Sequence, residues 1–108
     1  MEPLLERLTL VDKHVQRAMS IAEADASASP VLRAVVKELQ RKLAKASKTL
    51  TQDTSKWTQR EAVVEVEQAA DSANVAVQAD AGASADTRKA VELAHMSMCM
   101  LKAEAQPG

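Results

Sequence analysis

Apolar residues recur every three or four positions along most of the chain, the period of an amphipathic helix. From about Leu4 to Ala24, one face collects Leu4, Leu8, Val11, Val15, Ala18 and Ala22, widened by Leu5 and Met19. Glu6, Asp12, Lys13, Gln16 and Arg17 fall mostly outside that stripe. Pro3 suits a first helical turn, where a missing N–H costs nothing. The second stretch reads Leu32, Val35 or Val36, Leu39, Leu43, Ala46 and Leu50, the a/d seam of a bundle helix. Ser29 is a good N-cap for it, and Pro30 a preferred first residue. The third seam is Val63, Val66, Ala70, Ala73 and Val77, with Ala62, Val64, Ala69 and Ala76 alongside. The fourth is Val91, Ala94, Met98, Leu101 and Ala105, with Ser84 or Asp86 as its cap.

The breaks between these stretches repeat. Ala24-Asp25-Ala26-Ser27-Ala28-Ser29 returns as Ala79-Asp80-Ala81-Gly82-Ala83-Ser84, offset by 55 residues. The same offset pairs Val11 with Val66, Ala18 with Ala73, Arg33 with Arg88 and Val36 with Val91. Each copy lies between two helical patterns and reads as the turn of a helical hairpin. Gly82 stands where a positive φ would be cheap. Residues 51–58 have no apolar period, and Thr58 with Glu61 fits a capping box at the start of the third helix. The chain is therefore expected to be all-α, a four-helix bundle built from two repeated antiparallel helical hairpins. A single domain covers 1–108: hairpin one about 3–50, a connection at 51–58, and hairpin two about 59–105. The Gln106-Pro107-Gly108 end is expected to fray. Neither Gly nor Pro occurs between 31 and 81. An unbroken helix through the connection, in a three-helix chain that pairs with a second chain, thus stays open.

Composition sharpens one point. There is no Phe or Tyr, and Trp57 is the only aromatic residue. A core of Ala, Val, Leu and Met lets helices approach closely but buries little area per side chain. Moderate stability follows, or an oligomer that supplies the missing burial. The formal net charge of −1 gives no general pull toward nucleic acid or an anionic membrane. Residues 31–60 nevertheless carry eight bases against two acids, and residues 61–80 carry five acids and no base. Antiparallel neighbours with those flanks would attract each other. One cysteine, Cys99, excludes an internal disulfide framework. No secretory signal and no apolar run of about 20 residues is visible, so a cytoplasmic location without membrane association is expected.

The richest chemical run is His95-Met96-Ser97-Met98-Cys99-Met100. His95 and Cys99 share one helix face, as do Met96 and Met100, and these ligands suit copper(I) or zinc. Packing is the plainer reading, since Met and free Cys fill bundle cores and Met98 lies on the seam. Glu92 precedes His95 by three, one copy of the Glu-x-x-His pattern that di-iron bundles use twice. His14-Val15-Gln16-Arg17-Ala18 resembles the phospho-accepting helix of histidine phosphotransfer domains, which implies phosphotransfer at His14. It departs from that pattern where Lys and Gly are usual and Arg17 and Ala18 stand instead, and where Gln16 replaces an apolar residue. Arg33, Lys37, Arg41, Lys45 and Lys48 form a basic stripe that could track a phosphate backbone or meet a partner. No aromatic residue is interleaved for base stacking, which argues against nucleic acid. No Gly-rich phosphate loop and no nucleophile–base signature is present. The expectation is a non-catalytic interaction or assembly module without a cofactor, self-associating as a homodimer, with soft-metal binding as the alternative.

Overall fold

The structure is a computed structural model that describes residues 2–52 and 55–105, with side chains from Leu5 onward. Leu4 on the first seam, Asp53 and Thr54 of the connection, and the 106–108 end lie outside the described side chains. Four helices follow in order: α1 (Glu2–Ala24), α2 (Pro30–Thr51), α3 (Lys56–Ala79) and α4 (Ala85–Ala105). Each packs against its neighbours around a square, α1 on α2, α2 on α3, α3 on α4 and α4 back on α1. This is an all-α four-helix bundle with up-down-up-down connection, 42 × 19 × 19 Å overall.

The seams lie inside. Leu8, Val11, Val15, Ala18 and Ala22 of α1 are buried, with Leu32, Val36, Leu39, Leu43, Ala46 and Leu50 of α2. Of the two valines the second seam left open, Val36 is in the core and Val35 only packs against it. Val63, Val66, Ala70, Ala73 and Val77 of α3 face Val91, Ala94, Met98 and Leu101 of α4. The fourth seam also buries Thr87, Ala90 and Ser97, so it is wider than its large residues suggest. Small side chains make up about half of this core, and they set how closely the helices approach.

The connection differs from its expected form in one respect. The α2 helix ends at Thr51 and Gln52 is extended, with φ −90° and ψ 159°. The α3 helix begins at Lys56, and its N-cap is Ser55, whose Oγ accepts the Thr58 amide at 3.1 Å. Thr58 is thus the third residue of that helix rather than its cap. Its hydroxyl sits 3.0 Å from Ser55 Oγ, where the local hydroxyl outcompetes Glu61 for the helix start. An unbroken helix from α2 into α3 is ruled out by the extended Gln52.

The two repeated turns meet at one end of the bundle and clasp each other. Asp25 Oδ1 accepts its own turn's Ser27 amide at 3.0 Å, while Oδ2 accepts the Ser84 amide of the other hairpin at 2.9 Å. Asp80 repeats the pattern with Gly82 at 3.1 Å and with Ser29 at 2.8 Å. Arg33 donates to the Ala22 and Asp25 carbonyls. Arg88, 55 positions later, donates to those of Val77 and Asp80. Ser29 and Ser84 cap α2 and α4 through the Leu32 and Thr87 amides, at 3.1 and 3.2 Å. The repeat is therefore a pair of interlocking caps, each aspartate supplying an acceptor to the opposite helix start. Gly82 does not take the positive φ expected of it, and no described residue does. Its reason is space: a Cβ there would lie 2.6 Å from the Ser27 carbonyl oxygen.

Candidate functional site

The His95–Met100 run divides between two grooves. His95 and Cys99 turn toward α3, where His95 Nε2 lies 2.6 Å from Asp71 Oδ1 and 4.0 Å from Cys99 Sγ. The His95 hydrogen bond holds the Asp71 carboxyl below its ordinary range. Burial, then the nearby Glu67 and Asp71 carboxylates, push the Cys99 thiol up. A raised thiol is a poorer nucleophile and a poorer ligand at neutral pH. Asp71 and Cys99 also compete for one ring nitrogen, whereas a nucleophile–base–acid relay uses both. Among the described residues, no three His, Cys, Asp or Glu side chains are placed to hold a metal ion.

Met96 and Met100 turn the other way, toward α1. Together with Arg7, Leu10, His14, Leu93 and Ser97 they line a groove of about 150 Å3. Met96 is 59% exposed, Met100 47% and Leu10 43%. Arg7 contacts Met100 Sδ at 3.9 Å and pairs with Glu104 at 3.9 Å, closing one end of the groove. The methionines expected to share a site with His95 and Cys99 thus stand on a different face of α4. His14 is half-buried in this groove, beside Leu10 and the methionines. Sequence reasoning placed His14 without its neighbours. Leu10 and Leu93 lie off both seams, and their spacing to His14 and Met96 was the available signal.

The basic stripe is not one surface. Arg33 is committed to the turn carbonyls. Arg41 forms a two-pronged pair with Glu38, its Nε at 3.0 Å and Nη2 at 2.7 Å. Lys45 reaches Glu65 of α3 at 3.7 Å, and the neighbouring Lys42 reaches the same carboxylate at 2.7 Å. The Lys42 hydrogen bond lowers the Glu65 carboxyl. Lys37 and Lys48 remain exposed. Lys42 and Lys45 of α2 therefore meet Glu65 of α3 across their groove, whereas Glu67 and Asp71 of α3 pair with Lys102 and His95 of α4.

No family model, no curated protein and no solved structure matches this chain. Among the described residues, no helix is long and apolar enough to cross a membrane.

Proposed function

We propose that this chain is a non-catalytic assembly module that self-associates as a homodimer. One observation carries the reading: several large apolar side chains, the only aromatic among them, stand outside the core. Trp57, the only aromatic, is 66% exposed, and Val31, Val75 and Met96 each expose more than half of their surface. Ala18, Ala70, Ala73 and Ala94 meanwhile occupy fully buried positions. Exposed aromatic and methionine side chains are the kind of surface that protein interfaces enrich. Nucleic-acid binding has less support, since Arg33, Arg41, Lys42 and Lys45 are engaged within the bundle. Soft-metal binding has less support too, because the thiol–imidazole pair and the thioether pair face different helices. The free, exposed Cys99 suits a reducing compartment such as the cytoplasm.

Native mass spectrometry on protein purified without chelator tests the reading. A metal-free dimer is expected. A monomer at the highest concentration reached overturns it, and a metal-dependent mass increment lost with His95→Ala would put the metal reading in its place.

A further inference from the structure

The α1–α4 groove gathers three soft donors from two helices. His14 lines it from α1, and Met96 and Met100 line it from α4, four positions apart on one face. Helix α1 runs antiparallel to α4, with Arg7 against Glu104 and Asp25 against Ser84. Side chains lean toward the N-terminus of their own helix, which carries the His14 ring and the Met100 thioether toward each other. No carboxylate and no thiol is among the groove's lining residues. Met100 Sδ already faces a cation there, the Arg7 guanidinium at 3.9 Å. That guanidinium has a second partner in Glu104, so it can leave the sulfur and keep its charge pairing. The internal repeat supplies a control. The 55-residue offset sets His14 against Ala69, Met96 against Arg41 and Met100 against Lys45. The scaffold therefore does not require imidazole or thioether at these places, and neither lines the α2–α3 groove.

We infer that His14, Met96 and Met100 form a site for a soft monovalent cation, copper(I) or its redox-inert analogue silver(I). Thioether sulfur is neutral and carries no proton to displace, and it selects copper(I) over harder cations, while imidazole supplies the third donor. Calcium and magnesium call for carboxylate oxygens, which this groove does not offer. Thioethers are flexible enough to close on an ion from an open groove. The His95–Cys99 pair lies in the other groove and takes no part. Three neutral donors hold such an ion reversibly, so the metal-free protein expected on purification is protein to which none has been added. The inference goes beyond self-association and does not depend on it.

The test titrates silver(I), then copper(I) kept reduced by ascorbate without oxygen, into Cys99→Ser protein, which lacks the competing thiol. One ion per chain is expected. In methionine-methyl NMR spectra the Met96 and Met100 signals should move, while those of Met19 and the buried Met98 stay. Adding Met96→Leu/Met100→Leu keeps the apolar volume and should weaken binding at least tenfold, with helicity unchanged by circular dichroism. His14→Leu should weaken it in the same way, and His95→Ala should leave it as it is. Zinc should leave both methyl signals in place. Unmoved Met96 and Met100 signals overturn the site, and that readout needs neither exchange to fold. Binding that survives either exchange, or is lost with His95→Ala, overturns it as well. Signals that respond equally to zinc overturn the choice of ion. Because the stoichiometry is per chain, failed binding sinks this site and leaves self-association standing, and a monomer does the reverse.

Discussion

At the scale of single residues, Asp25 and Asp80 tie the two hairpins together. Each carboxylate holds its own turn and caps the opposite hairpin. The Ser27 hydroxyl, then the Ser84 amide and the Thr87 hydroxyl, pull the Asp25 carboxyl far below the carboxylate range. The Ser29 amide lowers Asp80 in the same sense. An unfolded aspartate titrates near about 3.9, so both groups bind protons more weakly when folded. Their stabilisation is whole above about pH 5 and is lost as pH falls through the lower folded values. Thermal melts should therefore show Tm falling steadily below about pH 4, and Asp25→Asn/Asp80→Asn should flatten that dependence while lowering Tm at neutral pH. Thr87 is fully buried, and its hydroxyl reaches Asp25 at 2.7 Å. Thr87→Val should cost about 1–2 kcal/mol in urea unfolding, the usual loss for a buried hydrogen bond. Gly82→Ala should destabilise by about 1–3 kcal/mol, because its new methyl meets backbone rather than a movable side chain. That outcome separates close approach from backbone conformation as the reason for the glycine. Equal or higher stability would refute it.

At the scale of helices, close approach replaces bulk. Ala70 and Ala73 of α3 and Ala94 of α4 are fully buried, and these two helices pack against each other. Ala94→Leu should lower stability by about 1–3 kcal/mol through overpacking, although it adds apolar surface. Leu43→Ala, in the leucine-rich seam of α2, should cost about 2–5 kcal/mol by leaving a cavity. Parallel urea titrations of the two would show whether the halves of the core differ in this way. Helix existence and seams were legible because period and burial coincide, as in α2. The choice of Val36 over Val35 was not, since neighbouring valines have the same propensity and only the position of α3 separates them. The cap of α3 was misread for a related reason. Ser55 and Thr58 are both good caps, and the hydroxyl that reaches the free amide is a matter of three-dimensional placement.

For the whole molecule, the charged flanks act as zips between neighbouring helices: Lys42 and Lys45 on Glu65, Lys102 on Glu67 at 3.5 Å, and Arg7 on Glu104. Such exposed pairs add little stability, yet they favour this order of helices around the square over its alternatives. High salt should leave Tm nearly unchanged, since it screens only these exposed pairs. Of the candidate functional residues, the methionines were legible as chemistry but not as surface. Met98 and Met100 are two positions apart on α4, one fully buried and the other half-exposed.

By itself the sequence determined the helices, their seams, the hairpin repeat and a core without Phe or Tyr, because each follows from local period and composition. Only the tertiary structure decided what the repeat is for. The aspartates of two turns 55 residues apart act on each other's helices, and no local pattern records a contact across that distance. The tertiary structure likewise split the His95–Met100 run between two grooves and committed Arg33 to a turn. A side chain's role is set by the neighbour that packing brings to it, and residues remote in sequence supply that neighbour.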